Sequence, residues 1–279
     1  MTLFKAATCQ FPVSSSIGRN AGRMQQMIES AAQQGAHVVH FPESALSGYA
    51  GTHFESWDGF DWKTLLDESE RLRALAKRHA LWILFGSAHR LSGDHLPHNS
   101  VYVVNPDGEI VERYDKLFCT KGDLKSYTPG DHFAVFEIEG VKCGILICHD
   151  VRYPELNRKY YAAGVRCIFY SFYNASAQGR TIHTVIMRPT LQARAATNHM
   201  WLSVSNASGY YQGWPSVFIV PDGRIVQSLR RHRAGIMFNT VDTEEQFVDK
   251  CGFKDLAIRG TLHSGTLVDD ARSKRLHSF

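Results

Sequence analysis

The sequence predicts an α/β fold: a four-layer α-β-β-α sandwich with two pseudo-equivalent halves. The first observation behind this is an internal similarity. VYVVNPDGEIV at 101–111 and SVFIVPDGRIV at 216–226 match around the same Pro-Asp-Gly turn. The second is what precedes each copy: a strand opening at Trp82 or Trp201, and before it a buried strand led by Gly35 or Gly164. The third is that the order helix, strand, helix, strand, hairpin runs twice through 279 residues with no linker-like stretch. Each run makes a sheet carrying helices on one face, and the two bare faces bury each other.

The elements follow in order. Residues 3–11 alternate and form a strand ending at Pro12. In 20–34, Met24, Met27, Ile28 and Ala31 fall at helical spacing, and Gly35 supplies the stop. A buried strand at 37–41 closes at Pro42-Glu43, and a loop rich in glycine, serine and aromatics spans 44–60. The helix at 62–79 sets Leu65, Leu66, Leu72, Leu75 and Ala76 on one side, and 82–87 is a strand. Residues 100–105 and 109–114 flank an Asp-Gly turn and form a hairpin. Residues 133–138 and 141–147 form another pair. The second run has a helix at 155–163 and a buried strand at 167–172. A mostly helical segment follows at 181–197, with Pro189 as its kink or its start. A strand at 200–205, a hairpin at 216–220 and 224–229, and a last strand at 235–241 complete it. The chain is expected to be one domain, with 243–279 as a C-terminal arm that packs on a partner subunit or on the chain itself.

Composition narrows the function classes. Hydrophobic content of 44% and charged content of 21% are ordinary for a globular enzyme. The net charge of +4 is small. The local run Arg230, Arg231 and Arg233 and the basic end at Arg272, Lys274 and Arg275 read as solvated surface, without the basic and aromatic stripe of a nucleic-acid binder. No segment approaches the ~20 apolar residues of a membrane span. The N-terminal MTLFKAATCQF reads as the first strand and not as a signal peptide. Six cysteines without CxxC spacing suit free thiols in a reducing cytoplasm. His37 with His40 and His95 with His98 lack supporting ligands, and there is no GxSxG, P-loop or GxGxxG. Neither metal nor cofactor is expected, and neither nucleic acid nor membrane as partner.

The stretch with chemistry in it is VKCGILICHDVRYPE at 141–155. A buried strand ends at Cys148, and Pro154 and Glu155 open a helix. A thiol there is either a small core residue or a nucleophile whose pKa is lowered near a helix N-terminus. A nucleophile needs a base, and acyl transfer needs an oxyanion site. Glu43 and Lys116 close two other strands. Alone, each is an ordinary helix-capping or surface group.

Taken together, FPESALSGY (41–49), YDKLF (114–118) and GILICHDVRYPEL (144–156) resemble the nitrilase superfamily of carbon–nitrogen hydrolases. YTPGD (127–131) and the RAxxN segment at 194–198 add to the resemblance, which covers residues 1 to 240. It implies the same sandwich fold and a Glu–Lys–Cys triad. Glu43 would be the general base, Cys148 the nucleophile, and Lys116 with the backbone N–H of His149 the oxyanion site. Asp123 stands where many members place a second glutamate. The histidine side chain at 149 would line the pocket or be structural. Arg152 would bind a substrate carboxylate, or pair with Asp150 or Glu155 to stiffen the turn, the second being favoured. Tyr49, His53, Trp57, Tyr173 and Asn174 lie near the pocket. The expected reaction is hydrolysis of a small-molecule amide or N-carbamoyl group through a cysteine acyl-enzyme. The alternatives are a nitrilase and a binding or regulatory protein with a disused site. The family forms homodimers and larger homo-oligomers.

Overall fold

The computed structural model describes residues 3–174, 181–249 and 265–273. Cys251, Lys274, Arg275, and much of the expected pocket loop at 174–180 and of the arm lie outside them. The strands are β1 (Leu3–Gln10), β2 (Val38–His40), β3 (Trp82–His89), β4 (His98–Val104), β5 (Ile110–Asp115), β6 (Val135–Ile138), β7 (Val141–Ile147), β8 (Cys167–Phe172), β9 (Trp201–Asn206), β10 (Val217–Ile219), β11 (Ile225–Ser228) and β12 (Gly235–Asp242). The helices are α1 (Ile17–Gln33), α2 (Trp62–His79), α3 (Pro154–Ala162) and α4 (Ile182–Asn198).

They form two six-stranded sheets, ordered β12-β1-β2-β3-β4-β5 and β11-β10-β9-β8-β7-β6. Each sheet has a parallel centre, β1-β2-β3 or β7-β8-β9, extended by an antiparallel hairpin. The halves therefore correspond as expected. The last strand, β12, returns to the first sheet and pairs antiparallel with β1, where β6 serves the second sheet by pairing with β7.

The repeated turns show how closely the halves correspond. Gly108 and Gly223 both adopt left-handed φ, +79° and +87°. A Cβ at Gly108 would fall 2.8 Å from Arg73 O in α2, and one at Gly223 would fall 3.0 Å from Ala196 in α4. The Arg73 guanidinium donates to Gly108 O at 2.8 Å, and the Gln192 amide donates to Gly223 O at 2.9 Å. Each turn is pinned to its helix by the same device.

The inner faces meet over Phe4, Val38, Leu84, Val101, Ile145, Phe169, Leu202 and their neighbours. Four polar side chains cross this layer. His40 bonds Ser203 at 2.9 Å and Ser171 at 3.0 Å, and Thr8 bonds Ser203 at 2.7 Å. His40 is fully buried and its pKa is pushed down to about 3, so the imidazole is neutral. It is a satisfied core group, and His37 accepts the Lys5 N–H at 3.0 Å.

One helix start differs from expectation for a local reason, and Pro189 does not start its helix. Ser16 caps α1 by accepting the Arg19 N–H, so the helix starts at Ile17. Pro189 lies inside α4. Two short 3₁₀ turns, Asp123–Lys125 and Cys148–Arg152, had no clear period in the sequence. Among the described residues no helix is long and apolar enough to cross a membrane.

Candidate active site

The carboxyl ends of β2, β5 and β7 meet at one end of the sandwich, where open α/β sheets tend to hold ligands. Past β2, Phe41 and Pro42 carry the chain to Glu43, which is fully buried. The next residue, Ser44, has φ +52°. Gly86 on β3 makes room for this turn: a Cβ there would fall 2.3 Å from Pro42 O. Glu43 Oε1 accepts from Lys116 Nζ at 2.9 Å and from Asn99 Nδ2 at 2.7 Å. Its Oε2 accepts from the Tyr173 backbone N–H at 2.7 Å.

Lys116 follows β5 and is only 1% exposed. Gly130 donates to its carbonyl at 2.9 Å and must be glycine, because a Cβ would fall 2.4 Å from Asp115 O. Nζ sits between two carboxylates, 2.9 Å from Glu43 and 2.9 Å from Asp123. Asp123 Oδ2 also accepts the Thr120 N–H at 2.8 Å, and Oδ1 accepts the Tyr49 hydroxyl. The shorter carboxylate thus reaches the lysine from its own 3₁₀ turn.

Cys148 is half-buried and has φ +42°, a left-handed backbone on a residue other than glycine. Asp150 holds this turn. It accepts from Tyr114 Oη at 2.8 Å, Phe118 N at 2.9 Å and Ile147 N at 3.0 Å. From α4, Arg194 Nε donates to Val151 O at 3.1 Å, which gives the RAxxN segment a physical role. Burial pushes the Asp150 carboxyl up to about 6 against these donors.

The electrostatics correct one expectation. The Cys148 thiol is not lowered but pushed well up, first by burial and then by the Glu43 charge, which Lys116 only partly offsets. The Glu43 carboxylate is thus close enough to the thiol to disfavour its ionisation. Burial also raises Glu43, against Lys116 and the Tyr173 N–H. Burial would pull Lys116 down, yet the adjoining carboxylates hold it well above its ordinary value. Asp123 is pushed up by burial but more strongly held down by Lys116 and its donors. These shifts favour a protonated thiol beside a Glu43 carboxyl group that shares the Lys116 ammonium with Asp123.

The other expected residues divide. His53 accepts the Tyr49 N–H on Nδ1 at 2.9 Å and meets the Tyr173 hydroxyl through Nε2 at 2.9 Å. Tyr49 stacks on Tyr173 with ring centroids 4.9 Å apart. These three make one wall beside Glu43. Trp57 instead joins an aromatic cluster with Phe54, Phe60 and Trp62. The Asn174 side chain turns away, accepting the Gly213 N–H at 3.0 Å, and ties down the 207–214 loop. His149 packs edge-on against Tyr153, and burial and then Lys116 push its pKa down. The expected pairing of Arg152 with Asp150 or Glu155 is not formed: Asp150 is engaged by Tyr114 and two backbone N–H groups, and Glu155 is exposed. Arg152 Nη2 bonds His183 Nδ1 at 2.5 Å instead. The sequence reading missed Asn99. Its only signal is a polar His-Asn-Ser opening on the otherwise apolar strand His98–Val104.

Known proteins share this architecture. The carbon-nitrogen hydrolase family model matches residues 5–246. The chain is 27% identical to the omega-amidase NIT2 of Xenopus tropicalis, over 81% of this chain and 84% of that one. It is 25% identical to omega-amidase NIT2 of Mus musculus, over 88% and 91%. An amidase of the nitrilase superfamily from Nesterenkonia, solved as a mutant, superposes with a TM-score of 0.75 at 20% identity, covering 85% of this chain and 90% of that one. The chain belongs to the carbon–nitrogen hydrolase family.

Proposed function

We propose that the protein is an amidase that hydrolyses the carboxamide of a small molecule through an acyl-enzyme on Cys148. The observation that carries this reading is the meeting of Glu43, Lys116 and a thiol on a left-handed turn, drawn from three strand ends. Glu43 takes the thiol proton as sulfur bonds to the amide carbon, and the C=O electron pair moves onto oxygen. Lys116 Nζ and the His149 backbone N–H hold that oxyanion. As the oxyanion collapses, the C–N bond breaks, and nitrogen leaves as ammonia with the proton returned from Glu43. Water attacks the thioester, Glu43 takes its proton, and the acid leaves as the thiol is restored. Asp123 keeps Lys116 charged and aimed.

The relatives named omega-amidases support a terminal amide over a nitrile or carbamoyl group. The test is ammonia release from a panel of short aliphatic amides, N-carbamoyl amino acids and nitriles. Amides are expected to lead, and no ammonia from any amide would sink the reading.

Tyr49, His53 and Tyr173 form the pocket wall in this proposal, and Arg152 lies four residues past the nucleophile, its side chain bonded to Nδ1 of His183. A substrate carboxylate suits that guanidinium. Arg152→Leu is expected to raise KM for amides that also carry a carboxylate by roughly 10- to 100-fold, as for a lost charged hydrogen bond. Amides without a carboxylate should keep their KM. An equal rise for both classes would remove Arg152 from substrate binding.

The same proposal covers the setting. The described cysteines, Cys9, Cys119, Cys143, Cys148 and Cys167, are free thiols, which supports a reducing cytoplasm. We read residues 1–279 as one domain whose arm begins at 243. Phe247 packs against Trp201 and His199, and the exposed stretch 265–273 suits a contact with a second copy in a homo-oligomer.

A further inference from the structure

Asn99 lies against Glu43, and the reaction above gives it no step. It sits on β4 and is fully buried. Its Nδ2 donates to Glu43 Oε1 at 2.7 Å, and its backbone carbonyl accepts the Lys116 N–H at 2.9 Å. The adjacent Ser100 hydroxyl donates to Asp115, the residue before Lys116, at 2.5 Å. One short stretch of β4 thus fixes Glu43 through a side chain and Lys116 through the backbone.

A carboxylate oxygen has two lone-pair positions. On Oε1, Lys116 Nζ and Asn99 Nδ2 occupy both. On Oε2, the Tyr173 N–H occupies one. One acceptor position is left, and it belongs to Oε2. The Asn99 amide oxygen, meanwhile, finds no donor among the described residues. A buried acceptor without a partner destabilises a fold, and rotating the amide would only set oxygen against the carboxylate.

We propose that Asn99 is a positioning residue that fills the second lone pair of Glu43 Oε1, so that Oε2 becomes the oxygen that takes the Cys148 proton. This rests on Glu43 being the base. The donated hydrogen bond also favours the ionised carboxylate, so its loss must move the acid limb of the reaction to higher pH.

The test measures the pH dependence of Cys148 alkylation by iodoacetamide, followed by intact-mass spectrometry, beside kcat/KM for the best amide. Two variants are compared with the wild type: Asn99→Leu, of similar volume without a donor, and Asn99→Asp, similar in shape with a charge facing Glu43. The acid limb is expected to rise by about one pH unit in the Leu variant and by more in the Asp variant. Labelling at pH values below the wild-type limb should fall about tenfold in the Leu variant and by more in the Asp variant. A merely structural role would lower yield or melting temperature without this ordered shift. If the Leu variant does not fold, the Asp variant decides by itself. A folded Asp variant with the wild-type limb and labelling rate overturns the inference about Asn99. Wild-type protein in which Cys148 labels no faster than Cys119 overturns the reading of the site as a whole.

Discussion

Cys148→Ser is expected to lose amide turnover by roughly 10⁴-fold or more, the order seen when an active nucleophile is removed. The substitution keeps the shape of the side chain, so any loss reports chemistry and not packing. In the resting site the thiol stays protonated, because burial and the Glu43 charge push it up. Proton transfer must therefore accompany attack. A hydroxyl holds its proton far more tightly, and the same carboxylate cannot ionise it during attack. Ammonia release by wild-type and variant protein measures the loss. Intact mass adds a second readout: an acyl adduct trapped on the wild type should be absent from the serine variant. A serine variant within tenfold of the wild type would mean that Cys148 is not the nucleophile. The left-handed backbone, φ +42°, gives a corollary. Cys148→Gly should be more stable than Cys148→Ala, by about 1 kcal/mol, since only glycine adopts that conformation without strain.

That φ shows where the sequence stops being legible. The thiol before Pro154 was readable as a strand end meeting a helix, because proline and glutamate mark the first turn. Nothing marked a left-handed residue at 148, where a glycine would have announced one. The expected lowering of the thiol rested on a helix N-terminus. It failed because depth of burial and the closeness of Glu43 are products of packing two sheets together. Lys116 makes the same point. Read alone, YDKLF offers a surface lysine, yet the side chain is 1% exposed between two carboxylates. Only motif resemblance moved it inward.

The fold was more legible than the site, and for a physical reason. The Pro-Asp-Gly turns, the apolar spacing in α2 and the buried run of β8 are local, and local sequence determines them. The partners of Asn99 and Asp150 are not local. Asn99 reaches Glu43 across 56 residues, and Asp150 reaches Tyr114 and Phe118 across 36 and 32. Polar residues at strand ends look alike until the sheets bring their partners in. Arg152 illustrates the converse: Asp150 and Glu155 were the near charges in sequence, and the structure gave the guanidinium a histidine from another helix.

Lys116→Met tests how the buried charges share one cation. The variant keeps an apolar chain of similar length and removes the ammonium 2.9 Å from both Glu43 and Asp123. Turnover is expected to fall about 10²- to 10³-fold or more through the lost oxyanion contact. Stability should fall by about 3–5 kcal/mol, as when one member of a buried ionic group is removed. The pH dependence separates this from simple loss of packing. In the wild type, Lys116 and its neighbouring donors hold Asp123 below its ordinary 3.8. That contribution is present above pH 3.8 and is lost as pH falls through the lower folded value. Without the lysine, burial and mutual repulsion raise both carboxyls above their ordinary values of 3.8 and 4.5. The folded state then holds their protons more tightly than the unfolded chain. Its stability is greatest below those values and declines as pH rises through the raised folded pKa. Urea unfolding of wild type and variant at pH 5 and pH 8 should therefore give a larger deficit at pH 8. An equal deficit at both pH values would show that Glu43 and Asp123 do not depend on the Lys116 charge.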